Sequence, residues 1–254
     1  MGRLDGEVAI ITGAGEGLGK AYAKGLAREG ASVVVNDIST ETATQTVQEI
    51  EKDGGEAVTC VGEVGSKETA EKLVETAVTK FGKIDIFINN AGLIKDALMV
   101  KMTEEQWDAV LNVHLKGTFL NSQAVVKHMI ENKIRGHIIN ITSPAGIYGS
   151  IGQANYSAAK AGIIGLTKSN SRELARYGIC VNVVCPIAKT SMTDSIPEKL
   201  REGIYNKISK TNTIQRVGEP EDVLPMMIFL SSKESYYITG QVVEVAGSVG
   251  FELV

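Results

Sequence analysis

The sequence predicts an α/β fold, a doubly wound seven-stranded parallel sheet with helices on both faces. Three observations carry that prediction. Short β-branched runs alternate with longer amphipathic stretches through the 254 residues, the signature of repeated βαβ units. The first of these runs passes straight into a glycine-rich turn that opens a helix. No Pro/Gly/Ser linker, low-complexity tract or internal repeat interrupts the pattern, so residues 1–254 are expected to form a single domain.

Taken in order, strand-like runs fall at residues 8–12, 32–36, 57–61, 84–89, 137–141, 181–184 and 241–245. The intervening stretches 17–29, 40–52, 67–81, 104–132, 156–177 and 221–231 have helical periodicity. Right-handed crossovers between parallel strands then place helices on both faces of the sheet. Residues 186–218, between the sixth and seventh strands, are the one irregular stretch. They are polar with short apolar patches and too long for a simple connection, which predicts a substrate lid.

Composition narrows the function. An apolar fraction of 43%, a charged fraction of 22% and a net charge of −4 describe a soluble globular chain and argue against a nucleic-acid partner. Apolar runs such as "VVV" and "MMIFL" are strand-length, far short of the roughly 20 residues that cross a bilayer, so no membrane partner is expected. Cys60, Cys180 and Cys185 sit singly in apolar surroundings and read as buried small hydrophobes. With no signal-peptide profile at "MGRLDGEVAI", a reduced, cytoplasmic compartment is expected. No Cys/His/Asp cluster has metal-ligand spacing, so no metal is expected; Trp107, His128 and His137 read as structural.

The turn "TGAGEGLGKAYAKGL" places Gly13, Gly15, Gly17 and Gly19 ahead of a helix. Glycines there let the backbone approach a pyrophosphate, and the helix N-terminus presents unpaired N–H groups. The strict G-x-G-x-x-G spacing fails, because the third glycine would fall at Leu18. About 20 residues beyond the loop, Asp37 ends the second strand in "VVVNDI", where a carboxylate accepts bonds from adenosine ribose hydroxyls and repels a 2′-phosphate. NAD(H) is therefore favoured over NADP(H).

The stretch "QANYSAAKAG" puts Tyr156 and Lys160 four apart among small residues, one turn apart on one helix face. Together with T-G-x-x-x-G-x-G at residues 12–19, N-N-A-G at 89–92 and Ser143, these motifs resemble the short-chain dehydrogenase/reductase family over essentially the whole chain. The resemblance implies a Rossmann-like fold and an oxidoreductase. Its catalytic residues are Ser143, Tyr156 and Lys160, with Tyr156 as general acid/base and Lys160 lowering its pKa while holding the nicotinamide ribose. It also implies cofactor contacts at Gly13, Glu16, Gly17, Leu18, Gly19, Asp37, Glu63, Val64, Asn90, Tyr156 and Lys160, with Glu63 and Val64 beside the adenine and Asn90 beside the ribose. A homo-oligomer, dimer or tetramer, is implied as well.

The stretches "GIYGSIGQANYSAAK", "VHLKGTF" and "CPIAKTSMTDSIPE" are similar to the (3R)-hydroxyacyl-CoA dehydrogenase part of peroxisomal multifunctional enzymes. That similarity implies a small-molecule substrate, possibly an acyl-CoA. Where most of the family has Asn, "HLKGTF" places His114, added here as a fourth catalytic candidate; a neutral imidazole can bridge a backbone group and a water. The family's P-G after the sixth strand is Pro186-Ile187, and Ala246-Gly247-Ser248 replaces an acid followed by two glycines.

The physical chemistry agrees with the resemblance. A phenol with a pKa near 10 is a poor base at neutral pH unless a nearby cation stabilises the phenolate, and Lys160 supplies one. Ser143, in "NITSPAGIYG" after a strand, is placed to donate to a substrate oxygen as charge develops on it. The expected function is an NAD(H)-dependent interconversion of a secondary alcohol and a ketone, with a 3-hydroxyacyl/3-oxoacyl thioester as the substrate. Two alternatives stand beside it, an NADPH-dependent 3-oxoacyl-carrier-protein reductase and a non-catalytic subunit of the same fold.

Overall fold

In a computed structural model of the protein, which describes residues 2–190 and 198–248, seven strands form one parallel sheet. They are β1 (Val8–Ile11), β2 (Ser32–Asp37), β3 (Glu56–Val61), β4 (Ile86–Asn89), β5 (His137–Ile141), β6 (Cys180–Pro186) and β7 (Val242–Val245). The helices are α1 (Gly17–Arg28), α2 (Thr40–Lys52), α3 (Lys67–Phe81), α4 (Glu104–Leu111), α5 (Gly117–Glu131), α6 (Pro144–Tyr148), α7 (Ala154–Leu174), α8 (Glu198–Thr211) and α9 (Pro220–Ser231).

Successive strand side chains point to opposite faces, so each strand feeds two cores. Ala9, Ile11, Val33, Val35, Ile86 and Ile88 meet Tyr22 and Leu26 of α1, Val47 of α2 and Met227 of α9. Val8, Ile10, Val34, Phe87 and Ile138 meet Leu73 of α3, Val125 and Met129 of α5 and Leu174 of α7. Burying each such aliphatic or aromatic side chain contributes about 1.5–3 kcal/mol, which is why the strands carry unbroken apolar runs. Among the described residues no helix is long and apolar enough to cross a membrane. Cys60, Cys180 and Cys185 are free and buried, as the sequence predicts.

Strand order is β3-β2-β1-β4-β5-β6-β7. The chain winds outward from β1 to β3, then returns to lay β4 against the other side of β1. At that reversal the crossovers leave in opposite directions, and a crevice opens at the carboxyl ends of β1 and β4.

Two features depart from the predicted elements. The stretch 104–132 is not one regular helix: between α4 and α5 residues Asn112–Lys116 form a π-helical turn. The widened turn swings His114 into the interior, where it is 1% exposed, and Thr118 Oγ1 donates to the His114 carbonyl at 2.6 Å. π-turns inside α-helices recur at functional sites. Gly117 closes this turn because a Cβ there would stand 2.8 Å from the Val64 carbonyl oxygen.

The second departure lies in the expected lid, where α8 occupies much of 186–218 and residues 191–197 fall outside the described residues. Its two stems are joined: Lys189 N–H donates to Gly218 O at 2.9 Å, and the Lys189 ammonium pairs with Glu219. Ile187, standing where the family has glycine, donates its N–H to Val245 of β7 at 3.1 Å.

Candidate active site

A cleft of about 680 Å³ opens at the carboxyl ends of the central strands. Gly13, Glu16, Leu18, Gly19, Asp37 and Asn90 line one part of it, and Ser143, Tyr156 and Lys160 another.

The glycine-rich turn is built for close backbone approach. Gly13 has φ +60° and Gly17 φ +54°, a region that favours glycine, and a Cβ on Gly13 would stand 2.8 Å from Ala91 Cα. A Cβ on Gly19 would meet the Gly13 carbonyl oxygen at 2.0 Å. Glu16, the N-cap of α1, makes no side-chain capping bond, so it leaves the first amides of that helix uncapped. Asn90 reaches across the turn: its Nδ2 donates to Thr12 O at 3.0 Å and Gly13 O at 3.1 Å. The Thr12 hydroxyl oxygen accepts from the N–H groups of Asn90 at 3.0 Å and Ala91 at 3.1 Å. Asn90 thus shapes the turn with its amide nitrogen, a role the sequence did not suggest.

At the end of β2, Asp37 Oδ2 accepts from Gly15 N–H at 3.0 Å and Oδ1 from Ser39 N–H at 3.0 Å. These bonds fix the carboxylate between the glycine turn and the start of α2, with lone pairs left for a diol. Glycine at 15 is required, because a Cβ would lie 2.4 Å from Thr42 Oγ1 and 2.8 Å from Asp37 Oδ2. Just past β3, Glu63 is exposed and Val64 buried, and neither lines the cleft.

Ser143, Tyr156 and Lys160 are brought into the cleft by β5, α6 and α7. Ser143 leaves β5 as the N-cap of α6, its Oγ accepting from Ala145 N–H at 3.3 Å, and it lines the same cleft as the Tyr156 phenol. Lys160 is 4% exposed, donates from Nζ to Ile141 O at 2.8 Å, and has Nζ 5.6 Å from the Tyr156 ring centroid. Burial pushes the Tyr156 phenol up to about 12, the Ser143 hydroxyl acting in the opposite direction. Burial also pushes Lys160 down to about 7. Each desolvated group favours its neutral form until an opposite charge or a polar ligand shares the cleft.

His114 stands behind this group, its ring edge-on to Tyr156 with centroids 5.1 Å apart and an interplanar angle of 88°. Nε2 lies 3.0 Å from Leu93 N and 2.8 Å from Leu93 O, so either neutral tautomer has a backbone partner there. Nδ1 is buried, with no hydrogen-bond partner among the described residues. Burial, then the Lys160 charge, pushes the imidazole down to about 3, so it is neutral at ordinary pH. Gly92 makes room for it: a Cβ there would stand 2.4 Å from His114 Cε1. That dependence of position 92 on position 114 was not visible in the sequence.

Comparison with known proteins places the chain among relatives of one family. Residues 7–201 match the family model described as short chain dehydrogenase. The chain is 46% identical over 248 residues to the 3-oxoacyl-(acyl-carrier-protein) reductase of Thermotoga maritima, covering 97% of this chain and 99% of that one. It is 40% identical over 256 residues to a hydroxyacyl-CoA dehydrogenase of Mycobacterium tuberculosis, covering 96% of this chain and 78% of that one. It is also 40% identical to the peroxisomal hydratase-dehydrogenase-epimerase of Neurospora crassa, covering 96% of this chain and 26% of that much longer protein.

Proposed function

The chain belongs to the short-chain dehydrogenase family, and on that premise we propose that it is an NAD(H)-dependent oxidoreductase interconverting a 3-hydroxyacyl and a 3-oxoacyl thioester. The observation that carries the reading is the single cleft in which Asp37, the glycine turn, Ser143, Tyr156 and Lys160 meet. The substrate class rests on the relatives, whose names specify 3-oxoacyl and hydroxyacyl substrates.

The site fits a dinucleotide, since the glycine turn leaves a cradle that any Cβ would fill. Gly13, Glu16, Gly17, Leu18 and Gly19 would hold its pyrophosphate, Asp37 the adenosine ribose, and Lys160 and Asn90 the nicotinamide ribose. When bound, this group supplies or accepts the hydride. Tyr156 passes its phenolic proton to the substrate oxygen during reduction and takes it back during oxidation. Ser143 donates to the same oxygen and stabilises the charge that develops there. Lys160, as an ammonium, stabilises the phenolate once ribose hydroxyls offset its desolvation. His114 holds Leu93 with Nε2, and its buried Nδ1, on a ring edge-on to Tyr156, suits it to position a water for proton return.

Asp37 supports NAD(H), because a 2′-phosphate placed against the carboxylate would be repelled. The similarity to an acyl-carrier-protein reductase favours a second reading, reduction of the carrier-bound thioester. The exposed side chains of Trp107 and Phe119, on α4 and α5, support a homo-oligomer. The absence of disulfides at three buried cysteines suits a reducing compartment such as the cytoplasm.

The test is a panel of 3-oxoacyl thioesters on CoA and on carrier protein, with simple ketones and alcohols, each run with both coenzymes. Turnover of the CoA thioester with NADH is expected. Failure of every ketone and alcohol with both coenzymes would overturn the reading.

A further inference from the structure

The mouth of the cleft holds a contact that none of the assigned roles uses. Gln153 lines the cleft and is the N-cap residue of α7, one turn ahead of Tyr156. Its Nε2 donates to both carboxylate oxygens of Asp96, at 3.2 Å to Oδ1 and 3.0 Å to Oδ2. Backbone bonds lock the two loops together at this point. Ala97 pairs with Gln153 in a parallel bridge, Ala97 N–H donates to Gly152 O at 2.9 Å, and Asn155 Nδ2 donates to Lys95 O at 3.0 Å. A primary amide held in this way does not swing freely.

An amide nitrogen carries two hydrogens, and one of them shared between the two oxygens of a single carboxylate leaves the other to donate elsewhere. The clasp therefore presents an oriented N–H at the cleft wall, one helical turn from the proton-transfer group. A 3-oxoacyl thioester has a second carbonyl two carbons from the one that is reduced. Gln153, at the N-cap, and Tyr156 stand three residues apart, a rise of about 4.5 Å along the helix axis, spaced to meet both oxygens. A simple ketone of equal length offers this N–H nothing.

Resting on the thioester reading above, we propose that Gln153, clasped by Asp96, is a specificity-determining residue that donates to the thioester carbonyl of the substrate. Asp96 is a positioning residue acting through Gln153. Burial raises the acid's pKa and the bond from Gln153 lowers it, so the clasp is tightest when Asp96 is ionised. A site built to donate to a substrate carbonyl discriminates against analogues that lack it, because the donor is then left unpaired.

The experiment compares kcat/KM for a 3-oxoacyl-CoA with that for a methyl ketone of the same chain length, in the parent and in Gln153→Leu, Asp96→Ala and Asp96→Asn. Tm and NADH affinity are measured on the same preparations. The parent is expected to prefer the thioester. Gln153→Leu and Asp96→Ala should lose about ten-fold of that preference, with the ketone rate and NADH affinity little changed. Asp96→Asn, which keeps an acceptor for Gln153, should retain most of it. An equal fall for both substrates would assign Gln153 and Asp96 to loop support alone and overturn the proposal, as would an unchanged preference. A parent that reduces the ketone but not the thioester refutes the proposal while leaving the oxidoreductase intact. A parent that reduces neither removes the functional reading itself.

Discussion

Acidification provides a quantitative test of the buried imidazole behind the active site. His114 is held down to about 3 by burial and by Lys160, and His137, buried against Tyr236, is held down to about 4. In the unfolded chain both return to about 6.5. Each is a base whose pKa is lower in the folded protein, so below pH 6.5 the unfolded state binds the extra proton and stability falls with pH. The loss continues down to about pH 3 for His114 and about pH 4 for His137. At pH 5 the gap is about 1.5 pH units, which at about 1.36 kcal/mol per unit amounts to about 2 kcal/mol for each histidine. Urea unfolding at fixed protein concentration from pH 7.5 to 5 should therefore show the parent losing about 4 kcal/mol from these two groups, and His114→Asn about half as much. Lys160, common to both proteins, largely cancels in the difference. Parallel stability curves for parent and variant would refute the claim that His114 is buried neutral, and with it the case for a neutral bridging imidazole. On the same preparations kcat should survive in His114→Asn, whereas His114→Ala should lower kcat with little change in NADH affinity.

Three other outcomes are expected. Tyr156→Phe should lower kcat/KM by a factor of about 10² to 10⁴ while NADH binding, followed by fluorescence titration, stays near the parent's; activity within a few-fold would contradict the assignment. Asp37→Ala should weaken NAD(H) and narrow the coenzyme preference, measured as a ratio of kcat/KM values. Equal use of both coenzymes by the parent would show that this acid does not face the ribose. Gly13→Ala should abolish measurable dinucleotide binding and lower Tm, because it forces a side chain to φ +60° and sets a Cβ 2.8 Å from Ala91 Cα. An unchanged binding isotherm would mean that the turn is not the pyrophosphate cradle.

Much of the site is legible in the sequence because its signals are local. The positive φ angles at Gly13 and Gly17 are the kind of backbone demand that only glycine meets cheaply, so the turn announces itself. Tyr156 and Lys160 share a helix face by arithmetic, and Asp37 follows the turn at the distance a βαβ unit dictates. Other features left weaker traces. The π-turn at Asn112–Lys116 interrupts a stretch whose periodicity reads as one helix, and α8 and the short α6 lie where no clear period exists. Asn90 belongs to a motif visible in the sequence, yet its amide serves the turn it faces.

The sequence by itself determined the fold class and the succession of seven strands, and its family motifs singled out the glycine turn and Ser143, Tyr156 and Lys160 as candidates, because periodicity, glycine demand and motif spacing are short-range properties of the chain. Only the tertiary structure decided the strand order that opens the crevice between β1 and β4, the burial that pushes Lys160 down and Tyr156 up, the fit of His114 against Gly92, and the Asp96–Gln153 clasp. Gly92 and His114 lie 22 residues apart, and Asp96 and Gln153 lie 57 apart. Desolvation and close packing sum over whatever the fold brings within a few ångströms, and no local stretch of sequence contains that sum.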